Sequence, residues 1–196
     1  MRQILIIHGG NSFSSYDEYR KNLESSNVDY ERLLPKQKWK SWIAEQMPDT
    51  DVLLPTFPNS ANAVYAEWAI YFEKISPYLG DDVQLVGHSM GAMFLAKYLS
   101  QHSLRKKVKK LILIAGPYND GQTSDFTNFN LESAISLPHS ADEIHLFQSK
   151  DDPLVPFSEF EKYQKDLPSA TSHIFEHRGH FIEPDFPELL ELLQQK

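Results

Sequence analysis

The 196-residue sequence contains no cysteine, which excludes disulfides, thiolate nucleophiles and cysteine-ligated zinc or iron–sulfur sites. Basic residues number 19 against 27 acidic ones, and the net charge of −8 argues against general binding of nucleic-acid backbones. Long apolar runs are missing too, since Ile4–Ile7 is far shorter than the roughly 20 residues that span a bilayer. It also lacks the apolar length of an export signal. These absences predict a cytoplasmic protein of one domain that binds neither nucleic acid nor membrane.

Six short apolar runs alternate with longer amphipathic stretches. Most of the runs stop at or near glycine or proline, and they are Ile4–Ile7, Val52–Leu54, Val83–Val86, Leu111–Ile114, Ile144–Gln148 and Ser172–Phe175. Apolar runs without polar alternation are typical of strands that are covered on both faces of a parallel sheet.

Helical patterns separate these runs. The clearest covers residues 61–79, where apolar residues repeat on one helical face after Ser60 as a predicted cap. Further helices are predicted at residues 38–47, 90–102 and 157–167 and in the tail after Pro184. The alternation predicts an α/β fold: one domain over residues 1–196, with a mostly parallel sheet of about six strands flanked by helices.

Two stretches break this rhythm. Residues 11–35 follow the first strand and residues 117–140 follow the fourth, and both are longer than a normal connection between a strand and a helix. We expect irregular loops with short helices that border the functional site. Neither stretch is long enough for a separate cap domain.

The strongest chemical signal is Gly87-His88-Ser89-Met90-Gly91, which fits the pattern G-x-S-x-G. It lies between a predicted strand and a predicted helix, the context in which such a serine sits on a sharp turn with its hydroxyl exposed. Glycines flank it because side chains there would collide with neighbouring backbone. Ser89 is therefore the predicted nucleophile.

A serine hydroxyl needs a general base, and the base needs an acid that orients it. Asp151 and Asp152 follow the fifth predicted strand, and His177 and His180 follow the sixth. Both pairs lie beyond the carboxyl ends of strands, where open α/β sheets bind ligands. We predict Asp152 as the orienting acid and His180, after a glycine that allows a tight turn, as the base; Asp151 and His177 are the alternatives.

The oxyanion of acyl transfer needs hydrogen-bond donors. The N–H of Met90 is the first predicted donor, and the loop His8-Gly9-Gly10-Asn11 supplies the second, with Gly10 preferred and Asn11 next. That loop lacks the spacing G-x-G-x-x-G, so no organic cofactor is expected.

The remaining candidate residues are less specific. Asn11, His88, Phe126 and Phe129 are candidates for substrate binding, although His88 has a structural interpretation within the elbow and the two phenylalanines could equally belong to the core.

Two patterns suggest other chemistry. The histidines at 173, 177 and 180 could be ligands of a metal, but they lack the i, i+4 spacing on a helix, and no metal is predicted. The basic run 105–110 is interpreted as a solvated connector after a helix C-terminus.

These residues resemble the α/β-hydrolase superfamily, and more closely the small serine hydrolases grouped with retinoblastoma-binding protein 9 and the bacterial YdeN proteins. The resemblance rests on the first glycine-bearing loop, the elbow at 87–92, Asp151-Asp152-Pro153 and Gly179-His180-Phe181. It implies that Ser89, Asp152 and His180 act as nucleophile, orienting acid and base.

The predicted function is a serine hydrolase, of esterase type, acting on small-molecule acyl esters without a cofactor. Two alternatives stay open: a catalytically idle module that binds a protein on this scaffold, and an enzyme that passes the acyl group to another acceptor or cleaves a carbon–carbon bond. No protein partner can be identified from the sequence.

Overall fold

The computed structural model describes residues 2–119 and 128–195. Its six strands are β1 (Gln3–Ile7), β2 (Asp51–Leu53), β3 (Gln84–His88), β4 (Val108–Ile114), β5 (Ala141–Ser149) and β6 (Thr171–Phe175). They form one sheet in the order β2-β1-β3-β4-β5-β6, and every neighbouring pair is parallel. The predicted α/β fold with about six parallel strands is confirmed.

The α-helices of the described ranges are α1 (Tyr16–Ser25), α2 (Tyr30–Leu33), α3 (Trp39–Gln46), α4 (Tyr65–Ile75), α5 (Met90–Gln101), α6 (Phe157–Asp166) and α7 (Pro187–Gln194). Within the described ranges, short 3-10 turns lie at Ser76–Tyr78 and Leu137–His139. No helix of these ranges is both long and apolar enough to cross a membrane.

The sheet is covered on both faces, which explains its continuous apolar runs. Along β1, Leu5 and Ile7 join the core that contains residues of α4, α5 and α6, whereas Ile4 and Ile6 join the core that contains residues of α3 and α7. Successive side chains of a strand point to opposite faces, so a strand buried on both sides is mostly apolar.

The order in which strands are added to the sheet reverses at β1. The strand lies between β2 and β3, and Ile7 is in register with Gly87 near the end of β3. The loops after β1 and β3 therefore leave the sheet side by side at its carboxyl edge, the position where doubly wound sheets bind ligands.

Helix α4 begins later than the sequence predicted. It starts at Tyr65 rather than at 61, and Ser60 is not its cap. The backbone of Asn11 pairs with this segment, donating its N–H to the Ser60 carbonyl at 2.9 Å and accepting from the Ala63 N–H at 2.7 Å. These bonds hold the segment against the loop after β1, outside the helix.

The stretch 11–35 contains both α1 and α2, and no residue of α1 is buried. The described part of 117–140 differs, because Leu131, Ala134 and Leu137 are buried in the core. The backbone N–H of Ala134 donates to the Tyr118 hydroxyl oxygen at 3.2 Å and to the Asp166 carboxylate at 2.8 Å, and these bonds fix the segment there.

Candidate active site

Ser89 occupies the turn between β3 and α5. Its backbone has φ 57° and ψ −123°, a conformation that residues with a side chain avoid at a cost of about 1–3 kcal/mol. Its N–H donates to the Ile114 carbonyl at 2.8 Å, and its own carbonyl accepts from the N–H groups of Ala92 and Met93. The strained residue is thus held from both sides, and its side chain faces an open pocket.

The glycines of the elbow are required by close packing. A Cβ on Gly91 would lie 2.5 Å from the Ile7 carbonyl oxygen, and one on Gly87 would lie 2.5 Å from the Ala92 Cα. Both distances are shorter than van der Waals contact, so any side chain at either position would force the first turn of α5 away from the sheet.

A histidine and a carboxylate meet beside this turn. The Nδ1 of His180 lies 2.8 Å from Oδ2 of Asp152, whose side chain is completely buried. The other oxygen, Oδ1, accepts from the N–H groups of Leu154 at 2.8 Å and Val155 at 3.0 Å. Because a carboxylate only accepts hydrogen bonds, Nδ1 of His180 carries the proton, and Nε2 keeps the lone pair that a general base needs.

Asp151 has a different position. Its Oδ1 accepts from the Ser149 hydroxyl at 2.6 Å and from the Gly179 N–H at 2.9 Å. The bond from Ser149, followed by the bond from Gly179, lowers the pKa of Asp151. Asp151 thus joins the loop after β5 to the loop after β6, whereas Asp152 is the carboxylate in contact with His180.

The loop that carries His180 is strained and clamped. Gly179 and Phe181 on either side have φ values of 49° and 52°. The carbonyl of His180 accepts from Nε2 of His88 at 2.9 Å, and the carbonyl of Phe181 accepts from the indole N–H of Trp39 at 2.9 Å. The elbow and α3 thus fix the backbone that presents the imidazole.

His88 connects this clamp to a lysine. Since Nε2 of His88 donates to a carbonyl, its Nδ1 is an acceptor, and the Lys40 ammonium lies 3.2 Å from it. Burial, and secondly the charge of Lys40, holds the pKa of His88 well below its ordinary value. His88 is therefore a neutral imidazole.

The predicted oxyanion donors lie close to Ser89. Met90 is the first residue of α5, so its N–H has no acceptor within the helix. A Cβ on Gly9 would lie 3.0 Å from the Ser89 Cβ, which places Gly9 against the serine, and a Cβ on Gly10 would lie 3.4 Å from the Met90 Sδ. The N–H of Asn11 already donates to the Ser60 carbonyl, so Asn11 is not the second donor, and Gly10 stays the prediction.

A pocket of about 760 Å³ opens above these groups. It brings together the predicted residues Gly10, Asn11, His88, Ser89 and His180. Leucine and isoleucine side chains form part of its wall and stay accessible, namely Leu54, Leu154 and Ile182.

Comparison with known proteins decides the family. The sequence model of the family described as "Serine hydrolase" matches residues 34–189. The chain belongs to the serine hydrolase family.

Relatives of this serine hydrolase agree with that assignment. YdeN of Bacillus subtilis (strain 168), described as a hydrolase, is 27% identical over 158 residues, covering 75% of this chain and 80% of YdeN. The crystal structure of the B. subtilis ydeN product superposes with a TM-score of 0.74 at 20% identity, covering 98% and 97% of the two chains. A monoacylglycerol lipase of Paleococcus ferrophilus shares the fold with a TM-score of 0.63 at 14% identity, covering 97% and 93%.

Several sequence candidates lie away from the pocket. Phe129 was a candidate for substrate binding, but none of its surface is exposed, because it packs edge-on against the rings of Tyr65 and Trp68 in the core. Phe126 lies outside the described residues. The alternative base His177 is 89% exposed and lies 3.8 Å from Asp151 rather than beside Asp152.

The histidine cluster makes no metal site in the described residues, where no group of three potential ligands converges. His173 instead stacks on Phe147, with ring centroids 4.1 Å apart, and contacts His145. Burial, with the charge of His145 as a second cause, lowers the pKa of His173 to about 4. His173 is therefore a neutral imidazole that packs against its neighbours in the sheet.

Sequence reasoning did not identify Trp39 and Lys40. Both belong to the first turn of α3, where the sequence shows an ordinary amphipathic helix. No spacing rule links them to His88 or to Phe181, because the contacts are made across 48 and 142 residues of chain. Only the packing of α3 beside the elbow reveals them.

Proposed function

We propose that this serine hydrolase cleaves carboxylic esters through an acyl-enzyme formed on Ser89. The observation that carries the proposal is that a strained serine and the imidazole of the His180–Asp152 pair face one pocket. This is the arrangement that a hydroxyl nucleophile needs, because the imidazole can accept its proton as the bond to carbon forms.

The reaction divides into two halves. Ser89 Oγ attacks the ester carbonyl while His180 Nε2 takes its proton, and the N–H groups of Met90 and Gly10 stabilise the oxyanion. Collapse of the tetrahedral intermediate expels the alcohol, which takes the proton from His180. Water then attacks the acyl-enzyme with His180 again as base, and the acid leaves as Ser89 regains its proton. Asp152 stabilises the imidazolium in both halves.

The pocket favours small or medium substrates. Its volume of about 760 Å³ is within the range of ordinary small-molecule sites. The accessible side chains of Leu54, Leu154 and Ile182 offer apolar contact to a short acyl or alkyl chain. No step requires a metal or an organic cofactor.

The test compares the wild type with Ser89→Ala on a panel of p-nitrophenyl esters of increasing acyl length. We expect the variant to lose about a millionfold in kcat, as when the nucleophile of a triad is removed. A fluorophosphonate probe should label native wild type but neither the variant nor heat-denatured protein. Ester turnover retained by purified Ser89→Ala would refute the proposal, and absence of labelling would favour an idle binding module.

A further inference from the structure

Lys40 places a positive charge beside the candidate nucleophile. Its side chain is half-buried, lies over the indole ring of Trp39 with Nζ 4.3 Å from the centroid, and is part of the pocket wall. Its Nζ is 3.2 Å from Nδ1 of His88, the residue directly before Ser89. The ammonium therefore lies on the pocket side of the elbow.

This charge has no carboxylate partner among the residues whose side chains the structure describes. The ion pairs there involve other lysines, and the contacts of Lys40 are the neutral imidazole of His88 and the indole ring. Burial, with the charge of Lys38 as a second cause, lowers the pKa of Lys40 to about 8. The bond to His88 and the indole ring offset only part of the desolvation of this cation, and an opposite charge in the pocket would offset more of it.

The other charged residue of the pocket wall is positive as well. Lys38 also contributes to its wall, and no aspartate or glutamate does so among the described residues. The protein as a whole has a net charge of −8, so this local excess of positive charge is opposite to the average surface. Such a reversal attracts an anion to one cleft.

The ammonium also has donors to spare. An ammonium group carries three N–H donors, and His88 accepts one of them. The other two can reach a carboxylate in the pocket without disturbing the bond of Lys40 to His88.

We propose that Lys40 binds a carboxylate of the substrate, so that the preferred substrates are anionic esters, either half-esters of dicarboxylic acids or esters of hydroxy acids. The proposal rests on the proposed ester hydrolysis and specifies its substrate class. The bound carboxylate would be the negatively charged partner that Lys40 lacks among the described side chains.

The experiment measures the preference of the enzyme for an anionic ester over a matched neutral ester, as the ratio of the two kcat/KM values. The first pair of substrates is monomethyl glutarate against dimethyl glutarate, followed by methanol release, which puts the charge in the acyl group. The second pair is 4-acetoxybutanoate against butyl acetate, followed by acetate release, which puts it in the alcohol. The ratio of kcat/KM within a pair does not depend on the fraction of active enzyme.

Lys40→Met should lower the anionic-to-neutral ratio by about tenfold to a hundredfold for at least one pair, the range for a hydrogen bond to a charged group. Lys40→Arg should retain most of the preference. Lys97→Met is the matched control, because Lys97 also lies over a ring, that of Tyr65, and donates to a carbonyl, but outside the pocket. Equal losses on both members of each pair in Lys40→Met would overturn the proposal and leave Lys40 as a positioning residue only.

The pH dependence gives a second readout. The titratable groups that face Lys40 are Lys38, which directly precedes its helix, and His88 of the elbow, behind which lies His180. Lys40 is protonated below its pKa of about 8, so the wild-type ratio should be high at pH 7 and fall as the pH rises through 8. Titration of the catalytic base changes kcat/KM for both substrates by the same factor, so it cancels in the ratio. A ratio independent of pH in the wild type would contradict the proposal.

Binding separates this proposal from the proposed chemistry. Calorimetry should show monomethyl glutarate binding to Ser89→Ala and weaker binding, by about tenfold or more, to the double variant with Lys40→Met. Binding without ester turnover by the wild type would refute ester hydrolysis alone. Turnover of neutral esters with no effect of Lys40→Met on anion binding would refute the anion site alone.

Discussion

Replacement of Asp152 by asparagine tests the acid–base pair most directly. The Oδ1 atom accepts from two backbone N–H groups, those of Leu154 and Val155. In Asp152→Asn the amide oxygen must therefore stay at that position, and the amide nitrogen must face His180. A donor at that point requires Nδ1 of His180 to accept, which moves the ring proton to Nε2. The base can then no longer take the proton of Ser89.

This argument gives a magnitude. Triads in which the orienting aspartate becomes asparagine lose about 10⁴ in kcat, which corresponds to about 5 kcal/mol of transition-state stabilisation. We expect a loss of that order in p-nitrophenyl butyrate hydrolysis, with KM changed little and with a thermal unfolding midpoint close to that of the wild type. The substitution is isosteric, so the loss reports on the tautomer of the imidazole and not on packing.

The adjacent carboxylate is the matched control. Asp151→Asn removes a charge one residue away, but Asp151 binds Ser149 and Gly179 rather than the imidazole. We expect it to lose less than about tenfold in kcat, because the amide oxygen of asparagine can still accept from both of these donors. Comparable losses in the two variants, or a loss below tenfold in Asp152→Asn, would refute the assignment of Asp152.

Two further predictions concern the scaffold. Gly91→Ala puts a Cβ 2.5 Å from the Ile7 carbonyl oxygen and should lower the free energy of unfolding in urea by about 1–3 kcal/mol, whereas Gly80→Ala, whose nearest neighbour is a flexible glutamine side chain, should change it by less than about 1 kcal/mol. Lys110→Met removes the buried ammonium that binds two carbonyls at the end of α7 and should lower the free energy of unfolding by about 1–3 kcal/mol. Its control is Lys109→Met at a half-exposed position, which should lower it by less than about 0.5 kcal/mol. Equal effects within either pair of variants would contradict the reasoning.

The fold was predictable because burial on both faces leaves a simple pattern. Every strand of the described sheet coincides with a predicted apolar run to within a few residues, and α5 lies within the predicted helix 90–102. The start of α4 was not predictable, since it depends on backbone bonds between the loop after β1 and residues 60–63. Propensity and periodicity contain no information about such a distant partner.

The site was predictable to the extent that local backbone geometry dictates it. The serine of the elbow must lie between glycines, and the acid and the base must follow late strands, so residue type and order suffice to nominate them. The contacts that hold the histidine loop were not predictable, because Trp39 and His88 reach its carbonyls from elements far away in the chain. Phe129 shows the same limit, since an aromatic residue in a long connection can as readily face the core as a pocket.

Backbone strain in this protein is concentrated where the chemistry is expected. Among the described residues, the non-glycine residues with positive φ are Asn59, Ser89, Ala115 and Phe181. Each follows the carboxyl end of a strand, those ends being β2, β3, β4 and β6. A strained residue persists only where its surroundings fix it, at a cost of about 1–3 kcal/mol each. A sheet buried on both faces provides that rigidity, and because all the strands are parallel, it concentrates the strain at the one edge where Ser89 and His180 line the same pocket.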